Sequence, residues 1–339
     1  MSVRKPRVYL APMEGVVDHH IRQWFSYIGG YDQMVTEFIR VNKSVLPNRV
    51  FYRYCPELYN QGNTIAGVPV YIQLLGSDPY LMAENAAMAI ALGAPGIDLN
   101  FGCPAKTVNR HDGGATLLKD PDRIFCIVEM VKKHNAGVPI TAKVRLGFDD
   151  KSKAIEIAKA VEAGGADRLT IHARTKKEGY RPPAHWEYIS LMRESIRIPV
   201  VANGDIWTLA DYLKCRDISG CQDVALGRAA MANPFLARQI QLQSTQPDTT
   251  WLDVLTFLFV FNKELGLSGV GSEYILSRHK QWLKMLARQF LEAAELFEHT
   301  KTIQSAESLL SHLQNQLEMF SQNGLNREPL TFLHHQHIL

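Results

Sequence analysis

Short β-rich runs recur along the chain with helical patterns between them, and this alternation limits the fold more than any single motif. The runs are RVYLAPM (7–13), QMVTEFIRV (33–41), VPVYIQLLG (68–76), PGIDLNFG (95–102), PITAKVRLG (139–147), DRLTIHART (167–175), IPVVANGDI (198–206) and DVALGRAAM (223–231). Val, Ile and Leu fill their centres, as buried parallel strands require. Between them PYLMAENAAMAIALG and KAIEIAKAVEAGG show the clearest helical periodicity, and each closes on Gly, the residue that best ends a helix. Eight such strands over roughly 240 residues match the count and length of a (β/α)8 TIM barrel, an α/β fold. A doubly wound open sheet is the alternative, but no GxGxxG follows the first run.

The C-terminal ends of the runs turn polar. They carry Glu14; Glu37 and Arg40; Gln73; Asn100 and Cys103; Lys143 and Arg145; His172 and Arg174; Asn203 and Asp205; and Arg228. In a barrel these ends converge on one face, which holds the active site. The last two ends read ANGDI and LGRAA. Small residues there let backbone N–H groups approach a phosphate, and Arg228 adds charge, which suits a phosphate-bearing cofactor. No cluster of His and carboxylates suggests a metal, and none is expected. Lys143 leaves two readings open. It could form a Schiff base, or it could supply the cation beside an anionic reduced flavin. Arg145 on the same strand face, with a thiol and an amide opposite, suits the flavin reading better.

Composition suits a soluble globular protein with one large domain, or one large and one small: 46% hydrophobic, with 37 basic against 34 acidic residues for a net charge of +3. So even a balance neither supports nor excludes nucleic acid. The first residues have no apolar stretch of signal-peptide type, and the longest apolar run, LDVLTFLFVF, is about half of a membrane span. A cytoplasmic protein is expected. Five cysteines at irregular spacing do not read as a disulfide framework. Cys126, in DRIFCIVEMVKK, reads as a small buried hydrophobe. Cys103 does not, because it sits between Gly102 and Pro104 on a loop directly after a strand.

The motifs LAPMEGVVD, TEFIRV, YIQLLG, DLNFGCPAKTV, GGATLLKDP, KVRLG, IHARTKKEGY, ANGDIW and GRAAMANP, in this order from about residue 7 to 240, resemble the series of the bacterial tRNA-dihydrouridine synthases. SRHKQWLKML and the later AAELF resemble the subgroup that acts on uridine 16 in the tRNA D-loop. The resemblance implies an FMN enzyme that takes hydride from NADPH and reduces the C5–C6 bond of uracil. It implies that Pro12, Met13 and Glu14 lie against the flavin ring, and that Gln73 and Lys143 bond its pyrimidine edge. It gives His172, Asn203, Gly204, Asp205, Gly227 and Arg228 to the ribityl phosphate and nearby atoms, and makes Cys103 the proton donor. Asn100, Arg145, Arg174 and Tyr180 match positions that meet the tRNA or its target base, and Arg40 a subgroup-specific tRNA contact. A thiol stays mostly protonated at pH 7, so it can act as a general acid where a carboxylate would arrive ionised. The rival role, a thiolate nucleophile, needs a base nearby, and His111 is the candidate. Two motifs depart from the family pattern. RHDGGATLL is bulkier and more charged than the usual glycine-rich loop, and GRAAMANP carries Ala229 and Ala230 where Gly is common at one position.

The polar stretch QSTQPDTT (243–250) reads as a linker. It would separate an FMN-binding barrel domain, 1–243, from a helical tRNA-binding domain, 251–320, with 321–339 as a flexible tail of no assigned function. In EYILSRHKQWLKMLARQF, Leu276, Leu283, Leu286 and Phe290 share one helical face. Lys280, Lys284 and Arg288 recur at every fourth position on another, and with Arg278 they make a basic stripe suited either to water or to phosphates. Trp282 could stack a base but reads better as core. No protein partner is called for, and a monomer is expected. An FMN barrel acting on a free small molecule such as a pyrimidine, and a catalytically silent RNA-binding barrel, remain as alternatives.

Overall fold

The eight runs close into a parallel barrel in the computed structural model, which describes residues 4–105, 112–244 and 249–322. The strands are β1 (Val8–Leu10), β2 (Gln33–Val35), β3 (Ile39–Arg40), β4 (Val70–Leu75), β5 (Ile97–Asn100), β6 (Ile140–Arg145), β7 (Arg168–His172), β8 (Val200–Asn203) and β9 (Val224–Leu226). Neighbours run β2-β1-β9-β8-β7-β6-β5-β4-β3, and β2 also pairs with β4, which closes the ring. β2 and β3 are two pieces of the second run. Met34 pairs with Val70 and Ile39 with Leu74 along the same partner strand. The eighth run is a strand only to Leu226; its remainder opens a short helix, Arg228–Ala232.

Side chains alternate along each strand. Ile72, Leu74, Ile97, Leu99, Ile140 and Ala142 are fully buried on the outer, helix-facing side. The inner side is largely polar. Low in the barrel Arg168 lies over the Tyr9 ring at 4.2 Å and donates across the interior to Gln33 at 2.9 Å. Arg168 is itself in strand register with Thr141, Asp98 and Gln73, and the next inward row toward the C-terminal end is Asn100, Lys143 and Thr170. Barrels are filled by side chains, and here that filling rises through hydrogen-bonding groups to the C-terminal end.

The helices between strands end as the sequence leads one to expect. Pro79–Ala91 starts on the Asp78 side chain and is followed by Gly93 at φ +100°; Ala154–Ala163 is followed by Gly165 at φ +89°. Pro121–His134 buries Ile124, Ile127, Val128 and Val131. Cys126 falls off that stripe and is exposed, which corrects its reading as a core residue.

The chain divides into two compact units. One comprises the residues up to Ser26 and Gly30–Gly227; the other comprises Tyr27–Gly29 and the residues from Arg228 on. The division thus precedes the 243–250 stretch. Among its described residues the second unit is helical: Arg228–Ala232, Leu236–Leu242, Trp251–Leu267, Ser272–Leu286, Leu291–Thr300 and Ala306–Gln322. Thr250 and Asp253 form a capping box that starts Trp251–Leu267. Trp282 is fully buried. Its ring meets Phe257 and Phe261 edge-on, and its indole N–H donates to Met231 O at 2.9 Å, so it is core. No helix among the described residues is long and apolar enough to cross a membrane.

Candidate active site

β4, β5 and β6 build the first half of the site. Asp98 and Asn100 lie two residues apart on β5, so both face the interior. Asn100 donates from Nδ2 to Gln73 Oε1 at 2.8 Å, and Gln73 donates from Nε2 to Asp98 at 2.6 Å. Asn100 Oδ1 accepts the backbone N–H groups of Gly102 (2.9 Å) and Cys103 (3.0 Å), which fixes the turn that leads to the thiol. From β6, Arg145 donates from Nε to Gly102 O at 2.8 Å, and from Nη1 to both Thr175 O and Gly179 O.

Cys103 is 9% exposed and packs beside Leu75, Phe38 and Ala105. Burial raises its pKa. Glu14 pushes the same way, while a hydrogen bond from the Ala105 backbone and the charges of Arg145 and Arg40 resist. Glu14, Arg40 and Arg145 are therefore electrostatic neighbours of the thiol. Lys143, paired in register with Asn100, keeps part of its side chain accessible, yet burial of the ammonium brings its pKa down to about 8. Arg145 adds to that fall, and Asp98 and Cys103 oppose it. At pH 7 Lys143 is a cation within easy reach of its neutral form.

β7, β8 and β9 supply the second half. His172 pairs in register with Arg145 on one side and Asn203 on the other. The Tyr180 ring lies 5.8 Å from the His172 ring and 5.2 Å from the Arg145 guanidinium, linking the two halves. Arg174 is fully buried. It donates to Arg181 O and forms an ion pair with Asp205. Asn203 donates to Ala225 O at 2.8 Å. Gly204 has φ +121°, a conformation that suits glycine; a Cβ there would sit 3.1 Å from the His172 ring, and its carbonyl accepts the Trp186 indole N–H. Met13 reaches Gly227, where a Cβ would be 3.5 Å from its sulfur. Pro12 and Met13 are half-buried and Glu14 is exposed on the loop after β1. Gly227 ends the barrel unit, and Arg228 is the first residue of the segment that continues in the other.

The remaining basic candidates lie in the helical unit. Their helix stops at Leu286, so Arg288 sits in the turn beyond it, and the stripe is shorter than its spacing suggests. Arg278 is buried and donates to Gln281 and Tyr274. Lys280 reaches Ile303 O at 3.4 Å; Lys284 is exposed and lies over Phe297. His111 falls outside the described residues, as do Arg110 beside it and the tail from 323. Among the described residues no group of three or more His, Cys, Asp or Glu side chains is placed to hold a metal.

Sequence reasoning passed over Asp98, Thr141 and Trp186. The first two had a signal: they share strand faces with Asn100 and Lys143, two residues along. Trp186 is set by a loop and had none.

The arrangement offers a half-desolvated cation, oriented amides and a protonated thiol at one barrel end, so it can bind a planar polar ring and deliver a proton. The profile of the family described as dihydrouridine synthase (Dus) matches residues 9–328. The chain belongs to the dihydrouridine synthase family. It is an enzyme, an oxidoreductase of that family. Its similarity to individual family members extends over nearly the whole chain. It is 47% identical over 310 residues to the tRNA-dihydrouridine(16) synthase of Neisseria meningitidis serogroup B, covering 90% of this chain and 93% of the relative. It is 48% identical over 295 residues to that of Pseudomonas putida, covering 86% and 91%. It is 47% identical to that of Shewanella oneidensis, covering 91% and 97%. Among solved structures, histamine dehydrogenase from Rhizobium sp. 4-9 matches with a TM-score of 0.53 at 15% identity, over 75% of this chain and 48% of that one. At that identity the match speaks for the barrel fold alone.

Proposed function

We propose that this dihydrouridine synthase reduces uridine 16 of the tRNA D-loop to 5,6-dihydrouridine, with FMN as its cofactor and NADPH as its reductant. The observation that carries the chemistry is the Cys103 thiol: it is held on a turn bonded to Asn100, kept protonated by burial, and set at the barrel end that also holds Lys143. The relatives named for this reaction at 46–48% identity support the substrate.

The residues present fit a flavin mononucleotide. Lys143 suits the polar edge of the ring, together with Gln73, which is fully buried and bonded to Asp98 and Asn100, and Pro12, Met13 and Glu14 suit its side. His172, Asn203, Gly204, Asp205, Gly227 and Arg228 suit the phosphate-bearing chain, and a Cβ at Gly204 would press on the His172 ring. When bound and reduced, the cofactor supplies hydride to C6 of the uracil. Cys103 gives its proton to C5, and the thiolate left behind is reprotonated from solvent. Lys143 holds positive charge beside the ring while that charge is needed. Asn100 keeps the thiol loop in place, which is the entropic part of the catalysis.

Of the groups assigned to tRNA, Arg40, Tyr180, Lys280, Lys284 and Arg288 keep accessible surface and are proposed to touch it. Arg145, Arg174 and Arg278 are buried in bonds to the protein, so their contribution runs through the loops and helix they hold. Action on tRNA would place the protein in the cytoplasm, and it is proposed to act there as a monomer without a protein partner.

The test is a pair of half-reactions. Acid release from the purified protein should yield FMN and no FAD, and NADPH should reduce the bound flavin. An unmodified tRNA transcript should then reoxidise it in single turnover, with the mass gain mapped to uridine 16. Reoxidation by free uracil or an enone but not by tRNA would replace this reading with that of a small-molecule reductase.

A further inference from the structure

The groups beneath the thiol loop form a directed chain that begins at a residue with no part in the chemistry. Asp98 is 3% exposed, and each of its oxygens accepts one hydrogen bond: Oδ1 from the Thr141 hydroxyl and Oδ2 from Gln73 Nε2, both at 2.6 Å. A side-chain amide has one donating and one accepting end. With Nε2 committed to the carboxylate, Gln73 turns Oε1 toward Asn100 and accepts from its Nδ2. Asn100 must then turn Oδ1 the other way, toward the N–H groups of Gly102 and Cys103. Neither amide can be reversed alone. Flipping Gln73 would set its NH2 against that of Asn100, and flipping Asn100 would set an NH2 against two backbone donors. The two ends of the chain demand the same polarity independently, the backbone donors at one end and the carboxylate at the other.

We propose that Asp98 is a positioning residue: through Gln73 and Asn100 it fixes the orientation of the turn that carries Cys103. This inference rests on the reading of Cys103 as proton donor. Asp98 has a second effect on the same site. Lys143 is faced by Arg145 on its own strand, by Asp98 on β5 and by Cys103 from the following loop; across on β7 its register partner is the neutral Thr170. Asp98 is in turn faced by Lys143 and Arg168. Arg145 lowers the pKa of Lys143 while Asp98 raises it, so Asp98 sustains the cation that burial works against.

Two substitutions separate orientation from charge. Asp98→Asn can offer Oδ1 to Gln73 and its NH2 to the Thr141 oxygen, so the polarity survives and the charge is lost. Asp98→Leu removes the acceptor, so Gln73 is free to turn. The first readout needs neither flavin turnover nor tRNA: hydrogen exchange at the Gly102 and Cys103 amides in the protein as purified. Asp98→Leu should speed it by about tenfold or more, and Asp98→Asn should leave it near the wild-type rate. The second readout is single-turnover reoxidation by tRNA, which should fall by about 10–100-fold in Asp98→Leu with unchanged tRNA affinity. The third is the pH dependence of flavin reduction by NADPH. In Asp98→Asn its alkaline limb should move below the wild-type position near pH 8.

Wild-type exchange rates at both amides in a folded Asp98→Leu would overturn the positioning role. If Asp98→Leu does not fold, Asp98→Ala, which removes the same acceptor with a smaller side chain, decides: wild-type exchange rates at both amides would overturn the positioning role. The functional reading fails separately, and visibly, if wild-type protein with slow amide exchange forms no dihydrouridine.

Discussion

Arg145 donates its Nε proton to the carbonyl of Gly102 at 2.8 Å, one residue before Cys103, so β6 grips the thiol loop from one side while Asn100 of β5 grips it from the other. Arg145 Nη1 donates to Thr175 O and Gly179 O, which ties that loop to the one that carries Tyr180.

Arg145→Met should therefore act on two observables at once. It removes a cation that lowers the Cys103 pKa, so the pH midpoint for alkylation of Cys103 by iodoacetamide should move up. It also leaves three carbonyls without their donor, and reoxidation of the flavin by tRNA should slow by about tenfold or more. Arg145→Lys restores the charge but not the planar fork, so it should recover the midpoint and little of the rate. An alkylation midpoint that does not respond to Arg145→Met would separate the guanidinium from the thiol.

The barrel was legible in the sequence, because parallel strands buried on both sides carry a plain signal, and so was the gathering of polar residues where those strands finish. What escaped was the interior of the sheet. Arg168, Tyr9 and Gln33 meet across the barrel from distant strands, and nothing local in DRLTIHART, RVYLAPM or QMVTEFIRV announces that meeting. Spacing alone also overstated the basic stripe, since a period of four continues in the sequence past the point where the helix ends at Leu286. Cys126 shows the opposite case: helical periodicity applied to Ile124, Ile127, Val128 and Val131 would have placed it outside. Residue type misled where pattern would not have.

Lys143→Met should reduce the flavin retained through purification or slow its reduction by NADPH. In the wild-type protein the Lys143 charge is present below pH 8 and lost as pH rises through about 8, so the property it supports should fall over that range. Lys143→Met should lack this limb. Trapping of an imine by borohydride would instead return Lys143 to Schiff-base chemistry.

Away from the site, Arg22 and Glu57 form a fully enclosed pair, with Nε and Nη2 donating to the two carboxylate oxygens at 2.8 and 2.9 Å. Burial alone would raise the Glu57 pKa, but the charge and hydrogen bonds of Arg22 override it and hold the carboxyl below its usual value. Glu57→Met leaves the guanidinium buried and unpaired, which costs about 3–5 kcal/mol. The double substitution Arg22→Met with Glu57→Met should be less destabilised than the single one. The stability from the depressed carboxyl is present above its unfolded pKa, about 4.3, and is lost as pH falls through the lower folded value. Thermal melts from pH 7 to pH 3 should show a steeper acid loss in the wild type than in the double variant.

Replacing Lys280, Lys284 and Arg288 together with Ala should weaken tRNA binding and lower the slope of log K against log salt by roughly one for each phosphate contact removed. Because Lys280 also reaches Ile303 O and Arg288 lies past the helix end, the slope should fall by less than three contacts would give, with Lys284 contributing most clearly. Flavin reduction by NADPH in the absence of tRNA should not change. An unaltered salt slope would leave these side chains as a solvated face.

Cys103→Ala tests the assignment on which the mechanism turns. Its neighbours are Leu75, Phe38 and Ala105, so a smaller apolar side chain is tolerated by the packing, and flavin content, tRNA affinity and reduction by NADPH should match the wild type. The defect should be confined to reoxidation by tRNA, because that half-reaction alone needs a proton at C5. Loss of a placed general acid costs about 10²–10⁴ in rate. Cys103→Ser keeps a donor in position, but a hydroxyl is a far weaker acid than a thiol and should recover little. The pKa of the wild-type thiol lies above its ordinary value because of burial, so reoxidation should hold steady across neutral pH and decline only on the alkaline side, as the proton is lost before the uracil arrives. That alkaline decline should be absent from the residual rate of Cys103→Ala. If both variants formed dihydrouridine at near-normal single-turnover rates, Cys103 would be a packed residue and the proton would have to come from another group at the barrel end.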